Sequence, residues 1–254
     1  MLLPPDFQYN IYSGETDLAY RQDGKGTAKV PGLLFLPGFF SDMTGTKASF
    51  LAEKAEACGR VLTRFDYSGH GFSGGRFEEG SIGDWLFDAQ AILDNVAEGP
   101  QILVGSSMGG WIMLLLAMAR PERVKGLVGI AASPDFTEEL VWKKLSPTLQ
   151  KEMRAKGVIY EPSEYEQGGI PYTMRLVEEG RNHLLLNKPI PVRCPVRLIQ
   201  GMQDEDVPWG WALRIAQQLE SKDLCITLVK EGDHRLSRPE DLELLWQEIE
   251  SIPA

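Results

Sequence analysis

Histidine and cysteine are scarce in this chain, with three of each in 254 residues. The cysteines are odd in number and form no CxxC pair, which argues against a disulfide framework or a zinc site. No histidine is spaced with another residue as a metal pair such as HxxxH. We therefore expect no metal and no other cofactor, and few side chains can serve as a catalytic base. The unpaired cysteines favour a reducing compartment.

Long apolar runs and basic runs are also absent. The nine apolar residues from Trp111 (WIMLLLAMA) are about half of what spans a bilayer, so they predict a buried helix and no stable membrane insertion. A formal charge of −10 repels phosphate and excludes nucleic acid as a partner. The start, MLLPPDFQY, lacks the features of a secretory signal. The expected location is the bacterial cytoplasm, or the mitochondrial matrix if a leader has been removed.

Short apolar runs alternate with segments of helical periodicity along most of the chain. This alternation predicts an α/β fold with a doubly wound, mostly parallel sheet covered by helices on both faces. One or two further strands are expected near the N-terminus, in FQYNIYS and DLAYRQ. The six runs that predict the other strands are 32–38, 60–67, 101–106, 124–131, 196–201 and 225–232.

Residues 136–190 interrupt this alternation after the sixth strand. A structureless loop of that length is improbable in a compact domain, so we expect a helical cap, or lid, inserted between core segments 1–135 and 191–254. One helix is predicted inside it, with Ser146 as N-cap, Pro147 at the first position and Gly157 as stop.

The segment QILVGSSMGGW places Ser107 in a GxSxG pattern between a strand and a helix. This context predicts a nucleophile elbow, in which Gly105 and Gly109 leave room for a sharp turn. A second match centred on Ser73 lies in a polar, glycine-rich stretch and is interpreted as a loop. Ser106 has the wrong spacing to glycine. Ser107 is the predicted nucleophile.

A serine nucleophile needs a base, and a histidine base is usually oriented by a carboxylate. His234 follows the last strand and is the predicted base. His70, in a glycine-rich loop, is interpreted as solvated, and His183, in the inserted segment, as a residue that faces solvent or packs against its neighbours. Asp204 directly follows the penultimate strand, and Asp135 is the reserve candidate for the acid. Glu205 and Asp206, beside Asp204, are interpreted as exposed turn residues.

The order Ser107, Asp204, His234 is that of α/β-hydrolases. Stabilising the tetrahedral intermediate also requires backbone donors. The amides of Met108 and Phe39 are predicted to supply them, with Phe40 as the alternative to Phe39.

Several segments together resemble the α/β-hydrolase superfamily, with a likeness that begins near residue 28. Within it, the chain is similar to the abhydrolase-domain-containing protein 10 group of mitochondrial acyl-protein thioesterases and their bacterial relatives. This resemblance implies hydrolysis of acyl thioesters such as S-palmitoyl cysteine, or of acyl glucuronide esters, by Ser107, Asp204 and His234. The segments that carry the resemblance are FLPGF, GTKA, FDYSGHGFSGG, ILVGSSMGGWIMLLLA and GMQDEDVPW.

The predicted function is thus a cofactor-free serine hydrolase that takes a small-molecule or acyl-protein substrate with an apolar acyl group through an acyl-enzyme. Phe40, Trp142, Tyr160 and Tyr172 are predicted to line the acyl site, although each cap residue can equally be core packing. Two alternatives stay open: a ligand-binding protein without turnover, and another reaction on the same scaffold, such as C–C bond hydrolysis or haloperoxidase chemistry.

Overall fold

A computed structural model describes residues 8–13, 16–26, 29–162 and 168–253. Within these residues the chain forms one eight-stranded sheet and one separate two-stranded hairpin. The sheet contains β1 (Gln8–Ser13), β2 (Thr16–Asp23), β3 (Gly32–Leu36), β4 (Leu62–Phe65), β5 (Gln101–Ser106), β6 (Val124–Ile130), β9 (Val196–Gly201) and β10 (Leu224–Val229). The hairpin contains β7 (Val158–Glu161) and β8 (Ile170–Thr173).

The strand order in the sheet is β1-β2-β4-β3-β5-β6-β9-β10. At one edge of the sheet, β1 pairs antiparallel with β2, and β2 pairs antiparallel with β4. The remaining pairings, along the order β4-β3-β5-β6-β9-β10, are all parallel. This confirms the predicted doubly wound, mostly parallel sheet, including the two N-terminal strands. Since parallel strands point the same way, the loops that follow β3, β5, β6, β9 and β10 lie together at the carboxyl ends of the strands.

Helices cover both faces of the sheet. The core on one face includes residues of α2, α3 and α6, and the core on the other includes residues of α1 and α7. Successive residues of β3 alternate between the two cores, which explains why this strand is apolar throughout. The helices are α1 (Thr46–Cys58), α2 (Ile82–Asn95), α3 (Met108–Ala119), α4 (Pro147–Lys156), α5 (Met174–Gly180), α6 (Gly210–Gln218) and α7 (Pro239–Glu250).

The chain between β6 and β9 contains a π-helical turn at Thr137–Val141, two short 3-10 helices (Trp142–Lys144 and Arg181–His183), α4, the hairpin and α5. Helix α4 begins and ends as predicted: the Ser146 side chain accepts from the Leu149 amide, and Gly157 adopts the left-handed conformation. Residues 163–167 of this segment lie outside the described residues. The division into core and cap at 135 and 190 stays a prediction.

Buried Asp135 ties the end of this segment to the sheet. Its carboxylate accepts the backbone N–H groups of Leu185 and Leu186, at 2.8 and 2.9 Å. Burial raises the pKa of Asp135, and these two hydrogen bonds oppose that shift by stabilising the charged form. Asp135, the reserve candidate for the catalytic acid, therefore makes contacts that hold the chain together.

None of the helices in the described ranges combines the length and the apolar character needed to cross a bilayer. The apolar helix α3 is instead covered by the core, with ten of its residues buried. Cys58, Cys194 and Cys225 are free thiols.

Helix α3 starts so close to β3 that Gly109 has no room for a side chain. A Cβ at this position would lie 2.5 Å from the Pro37 carbonyl oxygen and closer still to that of Leu36. We expect Gly109→Ala to lower the free energy of unfolding by about 1–3 kcal/mol, because the contacted atoms are backbone and cannot move aside. Urea denaturation measures this change.

Gly210→Ala is the matched control, since a Cβ there meets no atom within 4 Å. This variant should be neutral or slightly stabilising. Equal losses of stability in both variants would contradict the explanation by close approach.

Candidate active site

Ser107 occupies the turn that joins β5 to α3, with φ 52° and ψ −119°. This strained conformation is held from both sides: the Ser107 amide donates to the Ile130 carbonyl at 2.9 Å, and the Gly110 amide donates to the Ser107 carbonyl at 2.8 Å. A Cβ at Gly105 would collide with the Gly109 backbone. The predicted sharp turn after β5 is therefore present, together with the predicted need for glycine.

The structure brings Ser107, His234 and Asp204 together. The Ser107 Oγ lies 3.1 Å from His234 Nε2, and His234 Nδ1 lies 2.9 Å from an Asp204 carboxylate oxygen. The Asp204 side chain is fully buried, while a quarter of the His234 side chain is exposed. The imidazole thus connects a buried acid to a hydroxyl at the sheet edge.

Asp204 is fixed by more than His234. One carboxylate oxygen accepts the amides of Asp206 and Val207 at 3.0 and 2.8 Å. The other accepts the Gln200 side-chain amide at 2.9 Å in addition to His234. Sequence reasoning missed Gln200, although a single amide in the apolar strand VRLIQG is a detectable signal. The same carboxylate accepts the Nδ1–H of His234, so these donors fix the group that orients the imidazole.

This proton arrangement determines what the three residues can do. With Nδ1–H donated to Asp204, His234 Nε2 is the acceptor for the Ser107 hydroxyl proton. Removal of that proton makes the serine oxygen a nucleophile, and the buried carboxylate stabilises the imidazolium that forms.

Ser133, which follows β6, also contacts Ser107 and was not predicted. Its hydroxyl oxygen lies 3.4 Å from Ser107 Oγ, and its amide donates to the Ser107 carbonyl at 3.1 Å. Because Ser107 gives its only hydroxyl proton to His234, Ser133 is the donor in the hydroxyl contact. A buried polar residue in AASPD directly after a strand is the only sequence signal.

The loop after β3 lies against the elbow. A Cβ placed on Gly38 would be 3.4 Å from the Ser107 Cβ, so the next amide, that of Phe39, lies close to the nucleophile. In the described part of the chain the Phe39 amide donates to no protein acceptor. The Met108 amide is the first of α3 and has no acceptor within that helix. Both predicted oxyanion donors are thus available beside Ser107.

An aromatic cluster covers this loop. Tyr172 of β8 stacks on Phe39, with ring centroids 5.2 Å apart and planes 18° apart. Phe40 has φ 57°, is exposed, and makes an edge contact with Phe77. Phe39 also contacts Phe77, Trp85 and Phe136, at 4.9, 5.9 and 5.5 Å.

Trp142 and Tyr160, the other two residues predicted to line the acyl site, have different surroundings. Trp142 is buried in a small cluster with Met153 and Val177, and two arginine side chains stack over its ring. Tyr160 is 55% exposed on β7. Among the described residues, neither side chain hydrogen-bonds to or stacks on the triad or the loop after β3. Trp142 fills a core between the hairpin and its neighbouring helices.

The remaining sequence candidates lie outside the triad. Ser73 Oγ accepts the Ala19 amide and donates to the Asp66 carbonyl, which is a structural role. His183 is half-buried and pairs with Glu179 at 2.6 Å. The expectation of a solvated His70 is wrong: the side chain is buried among Tyr67, Phe77 and Trp85, and burial lowers its pKa to about 4. The glycines around His70 do not expose it, because these rings cover the loop.

Asp204, Asp206 and His234 also place three possible metal-ligand atoms within 4.8 Å of one another. Binding an ion through Nδ1 would require removal of the proton that His234 donates to Asp204. The existing hydrogen bonds of Asp204 and His234 favour proton transfer over metal binding.

Comparison with known proteins agrees with this fold. The family model described as serine aminopeptidase, S33 (Hydrolase_4) matches residues 32–204. The chain belongs to the α/β-hydrolase family. This α/β-hydrolase is 43% identical over 238 residues to the human protein named palmitoyl-protein thioesterase ABHD10, mitochondrial, covering 93% of this chain and 76% of the human one.

Two solved structures resemble the α/β-hydrolase over nearly its whole length. Alpha/beta hydrolase domain-containing protein 10 from mouse has a TM-score of 0.87 and 43% identity, covering 96% of both chains. A hydrolase from Agrobacterium vitis has a TM-score of 0.92 and 39% identity, covering 98% of this chain and 99% of that one.

The contact between Ser133 and Ser107 has a measurable consequence. We expect Ser133→Ala to slow covalent labelling of the protein by a fluorophosphonate about fivefold, the equivalent of ~1 kcal/mol for one lost hydrogen bond. Ser106→Ala, which changes another buried serine next to Ser107, is the control. An unchanged labelling rate in Ser133→Ala would show that the hydroxyl does not position the nucleophile.

Proposed function

We propose that this chain is a serine hydrolase that cleaves thioesters and esters of apolar acyl groups through an acyl-enzyme. The observation that carries the proposal is the hydrogen-bonded chain from Ser107 Oγ through His234 to buried Asp204, at an elbow after β5. Membership of the α/β-hydrolase family supports hydrolysis as the reaction class.

The reaction follows from the proton positions. Ser107 attacks the acyl carbon as its proton moves to His234, and the Phe39 and Met108 amides donate to the oxyanion. His234 then gives the proton to the leaving sulfur or oxygen, which departs as thiol or alcohol. Water, deprotonated by His234, attacks the acyl-enzyme and releases the carboxylic acid and free Ser107. Asp204 holds the imidazole throughout.

An apolar acyl group fits the surroundings of Ser107. Phe39 and Phe40 flank the proposed oxyanion site, and Tyr172 extends the aromatic cover from the inserted segment. The mammalian relatives are named palmitoyl-protein thioesterases, which supports a long-chain thioester. We propose that residues 136–190 act as a cap, with Tyr172 as their contribution to the acyl wall.

We further propose a compartment that keeps thiols reduced, either the bacterial cytoplasm or the mitochondrial matrix. Three free cysteines support this environment, and the similar mammalian proteins are named mitochondrial.

Replacing Ser107 tests the proposal directly. We expect Ser107→Ala to lower kcat by about 10³-fold or more without a loss of stability, because the residue supplies the attacking oxygen. The measurement is hydrolysis of p-nitrophenyl esters and S-acyl peptides with acyl chains of two to sixteen carbons. Ser106→Ala, one residue away in the same turn, should retain most activity.

The substrate panel separates the alternatives. A preference for long-chain thioesters that disappears in Ser107→Ala supports the full proposal, and activity on short esters only would remove the long-chain part. Faster cleavage of aminoacyl p-nitroanilides would replace it with aminopeptidase activity. Absence of both turnover and fluorophosphonate labelling would favour a ligand-binding protein, and retained activity in Ser107→Ala would exclude Ser107 as nucleophile.

Metal removal provides a separate test. Because His234 Nδ1 and Asp204 are bonded to each other, we expect dialysis against EDTA to leave kcat and KM unchanged. Dialysis of an untreated sample is the control. A loss of activity that zinc restores would instead assign Asp204, Asp206 and His234 to a metal centre.

A further inference from the structure

Asp206 lies beside the catalytic hydrogen-bond chain without belonging to it. One of its carboxylate oxygens is within 4.8 Å of ligand atoms of Asp204 and His234. Its backbone amide donates to the Asp204 carboxylate, which fixes the position of the loop, while its side chain is exposed. A solvent-facing negative charge therefore lies next to the imidazole.

The same charge reaches the inserted segment. Burial raises the pKa of the Tyr172 hydroxyl. Two carboxylates raise this pKa further: Glu161, which is hydrogen-bonded to the hydroxyl, and Asp206. The ring of Tyr172 stacks on Phe39, whose amide is a proposed oxyanion donor. Asp206 thus lies beside His234, and both Asp206 and Glu161 act electrostatically on Tyr172 of the inserted segment.

Neither carboxylate is neutralised by a salt bridge within the described ranges. Arg235, the cation that follows His234 in the chain, lies in a group of charges of both signs around Lys47. The Lys47 ammonium donates a hydrogen bond to the Arg235 carbonyl. The charges of Arg235, Asp233 and Asp241 act on the pKa of Lys47, and together with Lys47 they form a group of two positive and two negative charges. The Asp206 carboxylate is therefore a charge beside His234 that no salt bridge in these ranges offsets.

The leaving group approaches the same imidazole. His234 delivers the proton to the departing sulfur, so the leaving group has to lie next to the imidazole. The acyl chain occupies the aromatic region around Phe39 and Tyr172 instead. Because the acyl chain carries no charge, the Asp206 carboxylate distinguishes between substrates only through charged groups on the thiol portion of the thioester.

We infer that Asp206, supported by Glu161, makes this site select acyl thioesters with a positively charged leaving group. Peptidyl cysteine flanked by lysine or arginine is the favoured class, and polyanionic thiols such as phosphorylated pantetheine carriers are disfavoured. The inference rests on the proposed thioesterase function and adds which thiol is released. Its physical basis is the Coulomb interaction between one carboxylate and charges a few residues from the scissile bond.

The test compares S-acyl peptides that share one acyl chain and differ only in the residues flanking cysteine: lysine, glutamine or glutamate. Wild type should show a higher kcat/KM for the lysine peptide than for the glutamate peptide. We expect Asp206→Asn to reduce the lysine-to-glutamate ratio by about three- to tenfold at low ionic strength, and by less at high salt.

Glu205→Gln is the matched control, because it removes one exposed charge from the same loop but not from the group around His234. Its lysine-to-glutamate ratio should equal that of wild type. Glu161→Gln should reduce the ratio in the same direction as Asp206→Asn. The glutamine peptide reports any general change in catalysis.

Three results would overturn the inference: an unchanged ratio in Asp206→Asn, an equal reduction in Glu205→Gln, or an equal loss of kcat/KM on all three peptides. The last would mean that Asp206 acts only by holding the Asp204 loop. Failure of the proposed function is distinguishable, because it appears as hydrolysis that survives Ser107→Ala or as no hydrolysis by wild type.

Discussion

The backbone of Ser107 is the constraint around which the site is organised. Its positive φ turns β5 into α3 within one residue, so the side chain stands at the edge of the sheet instead of entering a core. The turn is possible only because β3, β5 and α3 approach at Gly105 and Gly109. The same approach carries the loop after β3 to the nucleophile. Nucleophile and oxyanion donors therefore share one packing contact.

The inserted segment is attached to the sheet by polar contacts as well as apolar ones. Asp135 binds two amides at its end, the Trp111 indole donates to the His183 carbonyl, and Glu179 accepts the Gly83 amide. These bonds place α5 against α2 and α3, and α5 directly follows β8. The position of Tyr172 over Phe39 thus depends on contacts made well away from Ser107.

Most of the architecture was predictable from the sequence, because it depends on local patterns. Two predicted strands, β5 and β9, match their predicted bounds, and α4 begins and ends at the predicted signals. The order of Ser107, Asp204 and His234 and their places after strands selected three side chains that the structure brings together. Loops that follow parallel strands have to meet at one edge, so no distance was needed to select them.

Features that depend on three-dimensional packing were not predictable in this way. The sequence does not distinguish Trp142 from Tyr172, two aromatic residues of the insertion. Trp142 is buried in a small core, whereas Tyr172 packs against the margin of that core and also stacks on Phe39. His70 sits in a glycine-rich stretch that indicated exposure, but aromatic rings from other segments bury it. Gln200 and Ser133 were missed because each contacts a side chain of the proposed triad and belongs to no motif.

Asp204 and Asp206 show how environment separates two identical side chains two residues apart. Asp204 is buried and accepts three hydrogen bonds besides that of His234, so its charge is compensated by donors within the protein. Asp206 contributes its backbone amide to that arrangement and leaves its carboxylate in solvent. A charge that is already compensated cannot influence an incoming substrate, whereas an uncompensated one can. The loop after β9 therefore holds the base with one aspartate and presents the other to the leaving group.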